Sequence, residues 1–140
     1  MNGAILSHHP VTREWITANG GDPDGELALI TVDGVCMEPT LRHGALIAIQ
    51  GGVTTADLAA GGVFVFVRSG RHFVKRLRLE ATRLIIVEDA RPAEVKIVPR
   101  LEFERCYSCL HRVFWTGWEY DLGRSIGDLS PVREPLRMHG

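Results

Sequence analysis

The 140-residue chain is nearly without lysine: Lys75 and Lys96 are the only two, against fourteen arginines. Its formal net charge of −1 leaves no electrostatic case for direct nucleic-acid binding by this segment. Long apolar runs are also missing. None approaches the roughly 18 to 20 residues of a membrane span, and the N-terminus lacks the basic, apolar and small-residue regions of a signal peptide. Cysteine is scarce and odd in number, with three residues. In a chain without a secretory signal, that points to a reducing cytoplasm rather than a disulfide framework. No internal repeat is present, and the length predicts one domain with a substantial core.

Two stretches stand out from this background. The first runs from Val32 to Gly44, Val-Asp-Gly-Val-Cys-Met-Glu-Pro-Thr-Leu-Arg-His-Gly. An apolar run ends at Val32, a glycine turn follows, and Pro39 suits the first turn of a short helix. This pattern places Cys36 at a strand-to-helix junction, where free backbone N–H groups, including its own, can hold an oxyanion and lower a thiol's pKa. The second stretch is Arg71 to Leu79. As a strand it puts Phe73, Lys75, Leu77 and Leu79 on one face and Val74, Arg76 and Arg78 on the other. Lys75 therefore points with the apolar set. Full burial lowers a lysine pKa from about 10.4 to about 5 or 6, giving a usable neutral base. An inward charge that discourages edge pairing, or an ammonium that snorkels to water, fits the same pattern.

Taken together, these residues resemble a known signature. Val-x-Gly-x-Ser-Met-Glu-Pro-Thr-Leu-x-x-Gly, followed some forty residues later by Val-Lys-Arg-Leu, is the pattern of the LexA-like repressor peptidases. That family contains LexA, the lambdoid phage repressors and the polymerase accessory protein UmuD, and is related to signal peptidases. The similarity extends from about Trp15 to Trp118. In the family the serine attacks a peptide bond in the protein's own upstream segment and the lysine is the general base. The resemblance puts Cys36 in the serine's place and Lys75 in the lysine's. The chain departs from the family at Gly34-Val35-Cys36, where Gly-Asp-Ser is usual, and at His43-Gly44-Ala45, where Asp-Gly-Asp is usual.

A thiol beside a neutral lysine should surrender its proton unless burial reverses the order of their free pKa values, about 8.5 and 10.4. The harder step is expelling the amine, because the tetrahedral intermediate more easily returns the thiolate and lysine is a poorer acid than histidine. Slow cleavage or none is expected.

Taken in order, Met1 to Pro10 reads as a loose lead with an exposed His8-His9-Pro10 kink. Thr12 caps a short helix through Asn19, with Trp15 and Ile16 on its apolar side. The 26 residues before the first clear strand are too few for a helix-turn-helix domain, and Ala18-Asn19-Gly20-Gly21 is the nearest approach to the Ala-Gly or Cys-Gly bond that the family cuts. Strands are expected at Leu27–Val32, Ala45–Ile49, Val63–Val67, Arg71–Leu79, Leu84–Val87, Val95–Val98 and Leu110–Trp115, with a capped helical turn at Thr55–Ala59. Ser69-Gly70 closes a hairpin from Val63 to Leu79. This is an all-β pattern with short helical turns, and the resemblance implies the same: a LexA-like, partly closed, barrel-like fold. The organisation expected is an extension over 1–26, a core domain over 27–122 and an irregular tail over 123–140.

Cys106 and Cys109 form the competing constellation, with metal-ligand spacing and His111, His43 or His72 as further donors. One pair without a second is weak, and in a strand Cys109, His111, Val113 and Trp115 share a face on which cysteine usually packs as a small core residue. No metal and no cofactor is therefore expected. His43 reads as a turn residue, and Trp115 and Trp118 as core or dimer-interface aromatics.

The resemblance implies a cytoplasmic homodimer: the regulatory half of a bacterial or phage repressor, touching DNA only through an upstream helix-turn-helix domain. An active self-cleaving peptidase with a Cys36/Lys75 dyad, relieving repression as in an SOS response, and a UmuD-like polymerase accessory are the alternatives.

Overall fold

The computed structural model of the chain describes residues 11–118. Thr12 caps helix α1 (Arg13–Ala18), its hydroxyl accepting from the Trp15 N–H. Seven strands follow: β1 (Leu27–Thr31), β2 (Leu46–Gln50), β3 (Gly62–Arg68), β4 (Arg71–Glu80), β5 (Arg83–Glu88), β6 (Arg91–Pro99) and β7 (Ser108–Gly117). Helix α2 (Thr55–Ala60) precedes β3 and helix α3 (Arg100–Cys106) precedes β7. All strand pairings are antiparallel, in the order β1-β2-β7-β3-β4-β5-β6. The mainly-β expectation holds, but the sheet is open: β1 and β6 are its two edges. The expected loose start over 1–10 and irregular tail over 123–140 lie outside the described residues.

The β3–β4 hairpin forms where the alternation predicts it. Its two-residue turn, Ser69-Gly70, has both φ angles positive, which matches the right-handed twist of the flanking strands. The continuous apolar run of β3 is explained by cover on both faces. Val65 and its partner Val74 join Ile30, Val32, Met37, Leu41, Ile47 and Ile49 on one side. Phe64 and Phe66 join Leu58, Leu77, Leu79, Leu84, Ile86 and Phe103 on the other. A third cluster packs Ile16 of α1 against β1 and β2, with Trp15 edge-on to Trp115 at 5.2 Å.

Two local expectations change. Helix α3 is not foreshadowed, because only Phe103 of its seven residues is buried and no apolar period shows in so short a segment. Conversely, no helix follows Cys36. Met37–Leu41 makes a single turn, closed by the Leu41 N–H on the Met37 carbonyl at 2.9 Å, with a cis peptide at Glu38-Pro39.

Candidate functional site

Cys36 sits in a loop pinched at its neck. The Val32 N–H donates to the Ala45 carbonyl and the Gly44 N–H to the Val32 carbonyl, each at 2.8 Å. Gly34 and Gly44 hold φ of 127° and 86°, which side-chain-bearing residues rarely adopt. His43 is the turn residue expected: its Nδ1 accepts from the Gly34 N–H at 3.0 Å. Met37 and Leu41, 1% and 2% exposed, peg the loop into the core on either side of the turn.

A second set of bonds latches this loop to the β5–β6 turn. The Ala90 N–H donates to the Cys36 carbonyl at 3.1 Å, and the Asp89 N–H to the Met37 sulfur at 3.4 Å. Thr40 donates to Asp89, which Arg76 grips with both Nε and Nη2 at 2.8 and 2.7 Å. These bonds hold the Asp89 carboxyl below its ordinary range: Arg76 first, with Thr40 adding to it against the opposing effect of burial. Asp89→Asn should therefore destabilise the protein by about 1 to 2 kcal/mol at neutral pH, the partial exposure of Arg76 limiting the loss. Because the folded pKa is depressed, the penalty is present above about pH 4 and fades as pH falls through the folded value. Urea unfolding of parent and variant at neutral and acidic pH checks it.

The Cys36 thiol donates to the Val74 carbonyl at 3.7 Å, which places the sulfur at the residue next to Lys75. Lys75 points with the apolar face, as the alternation predicts, and only 13% of its side chain is exposed. What the sequence reading missed is its partner. Lys75 donates to Glu88, its cross-strand neighbour one step beyond the Arg76–Val87 pair, and Glu88 is held from its other oxygen by Arg91. Burial raises the Glu88 pKa, but hydrogen bonds from Lys75 and Arg91 outweigh it and the carboxyl lies below its usual range. Glu88 is thus a carboxylate at neutral pH.

Burial pushes the Cys36 thiol above its ordinary value. The charge of Lys75 works against this and that of Glu88 reinforces it, so at neutral pH the group is a thiol. Cys36 and Lys75 therefore share one electrostatic neighbourhood. The Lys75 nitrogen that would serve as the base is the one that holds Glu88.

Beside the Lys75–Glu88 pair opens a groove of about 600 Å³. Phe66, Phe73, Ile86, Val98 and Tyr107 give it an apolar lining, while Cys36 does not line it. Such a cleft, apolar with a charged pair at one point, suits an extended segment carrying a large apolar side chain.

The sequence is similar to that of a phage repressor. It matches the 26 kDa repressor protein of Escherichia phage HK022 at 35% identity over 69 residues, 49% of this chain and 28% of the phage protein. The chain thus spans well under half the length of the repressor it matches. No family model and no solved structure matches the chain. The homology to the repressor is weak and partial.

The Cys-x-x-Cys pair is placed differently from the sequence expectation. Cys106 and Cys109 are both free and exposed rather than packed as core residues. Cys109 has φ of 55° at the start of β7, where the pairing with β3 shifts register, so the simple alternation with His111 breaks down. His111 is engaged by Glu26 at 2.8 Å. Among the described residues, no group of three or more His, Cys, Asp or Glu side chains could hold a metal ion. No helix among them is long and apolar enough to cross a membrane.

Proposed function

We propose that the chain is the regulatory and dimerisation domain of a LexA-like transcriptional repressor of phage or bacterial origin, cytoplasmic and homodimeric, with a peptidase-type site that is weak or idle. An upstream helix-turn-helix domain would make the DNA contacts, and dimerisation here would set the spacing of two half-sites. The similarity to a phage repressor supports the regulatory role. The observation that carries the peptidase-type site is the seating of the Cys36 thiol on the carbonyl of Val74, the residue before the partly buried Lys75.

Three features support an idle site. The nucleophile position holds a protonated thiol, the base position holds a lysine committed to Glu88, and Arg91 secures that carboxylate. A thiolate would also be expelled from a tetrahedral intermediate more readily than an amine. In this reading Cys36 is the nucleophile position, Lys75 the general base, and the Cys36 N–H the oxyanion donor.

The test follows cleavage of the intact protein on long incubation at raised pH. The parent should remain whole. Cys36→Ser together with Glu88→Gln should cleave faster than Cys36→Ser alone, because an uncharged amide holds the Lys75 nitrogen less tightly than the carboxylate does. Cleavage by the parent that vanishes in both Cys36→Ala and Lys75→Ala would establish an active Cys36/Lys75 dyad and overturn the idle-site reading.

A further inference from the structure

The groove beside Lys75 carries more charge than an apolar guest would need. The chain's only two lysines, Lys75 and Lys96, both line it, although fourteen arginines are spread along the sequence. Arg68 and Arg91 line it as well, so four cations face two carboxylates, Glu88 and Glu94. Those carboxylates are already held from within the groove. Lys75 and Arg91 grip Glu88, and Arg91 reaches Glu94 at 3.3 Å. That leaves Arg68 and Lys96, neither of which has a carboxylate partner among the described residues.

The strands place both of these cations on the groove. Arg68 follows buried Phe66 by two positions on β3, and Lys96 pairs with buried Ile86 across β5 and β6, so each shares a sheet face with the apolar floor. The Arg68 guanidinium lies over the Tyr107 ring, 5.7 Å from its centroid. It also stands directly opposite Arg71 in the hairpin. Like charges in that position are destabilising, and a bound anion would relieve them.

We propose that this groove is the binding site of a small organic anion, a flat aromatic body bearing one carboxylate. The floor takes the ring. Phe73 and Tyr107 are half-buried and stand edge to face with centroids 5.9 Å apart, leaving aromatic surface for a guest ring to pack on. The exposed Arg68 and Lys96 supply the positive charge that attracts the carboxylate. A volume of about 600 Å³ falls inside the usual range of small-molecule sites, about 300 to 1,000 Å³. A peptide offering only an apolar side chain would fill the floor and leave both cations unanswered. Cys36 does not line the groove, so the anion site stands independently of any peptide cleavage.

Isothermal titration calorimetry of the 140-residue chain with naphthoate tests this, with naphthylmethanol as the uncharged counterpart of the same shape. Naphthoate should bind roughly tenfold or more tightly than the alcohol, and its affinity should fall as salt is raised while the alcohol's does not. Lys96→Glu and Arg68→Glu should each weaken naphthoate by roughly tenfold and leave the alcohol unchanged. Both side chains are exposed, so neither change disturbs the core. Arg83→Glu reverses an exposed cation outside the groove and should alter neither affinity. Equal affinities for the two probes, or charge reversals that leave naphthoate binding as it was, would overturn the anion site and leave an apolar cleft. Failure of naphthoate to bind at millimolar concentration would overturn it outright.

Discussion

Phe66→Ala should destabilise the protein by about 3 to 5 kcal/mol, the largest loss expected from any single truncation near the groove. Phe66 is 2% exposed and stands at the centre of an aromatic group. Its ring lies 4.8 Å from Tyr107 and 5.1 Å from Phe103, both edge-on, and 6.0 Å from Phe73, which stacks on it. These contacts tie β3 to β4, to α3 and to the connection into β7, so the cavity left by alanine has rigid walls and little means of collapse. Phe73→Ala should cost clearly less, because that ring is only half-buried. Urea unfolding of the two variants measures the difference. Equal losses, or a loss below about 1 kcal/mol for Phe66→Ala, would show that the aromatic group does not anchor the sheet.

Lys75→Met should destabilise by about 2 to 3 kcal/mol at neutral pH, somewhat less than the removal of one partner from a fully enclosed pair. The side chains of Lys75 and Glu88 are 13% and 15% exposed, so losing the ammonium leaves a largely desolvated carboxylate. Arg91 keeps hold of Glu88 from the solvent side and limits the damage. Methionine fills the same volume, which separates loss of charge from loss of packing. The sign of the pH dependence follows from the depressed Glu88 pKa. The pair contributes above the unfolded carboxylate value of about 4.3, and its contribution disappears as pH falls through the folded value. The gap between parent and variant in urea should therefore narrow on acidification. Lys75→Met combined with Glu88→Gln should recover part of the loss even at neutral pH, because no lone carboxylate remains.

Much of this arrangement is legible in the residue order. The period-two pattern of β4 turns Lys75 inward, and Ser69-Gly70 sets the hairpin that aligns Phe64 with it. Glu88 was within reach of the same reasoning. Strands β4 and β5 are joined by a tight turn after Glu80, and following that register back from Glu80–Arg83 brings Glu88 opposite Lys75. Ending the strand at Val87, the last apolar residue, hides it. A carboxylate that matches an inward lysine continues a strand as surely as a valine does. The latch on the Cys36 loop was not legible, because Met37 and Thr40 each lie about fifty positions from Asp89 in the chain and meet it only once the sheet exists. Nor was the turn after Met37, which is held by two core pegs and that latch rather than by helix propensity. The alternation expected of Cys109 fails where one residue takes a positive φ and the β3–β7 register slips.

The central claim is that the half-buried Cys36 thiol lies within the opposing fields of Lys75 and Glu88. Its most direct test is the pH dependence of Cys36 alkylation, in a Cys106→Ser, Cys109→Ser background so that one thiol reports. Burial should place the midpoint above that of an ordinary free thiol. Lys75→Met should move it higher still, and Glu88→Gln should bring it down. A midpoint at the ordinary thiol value, unmoved by either substitution, would contradict the account.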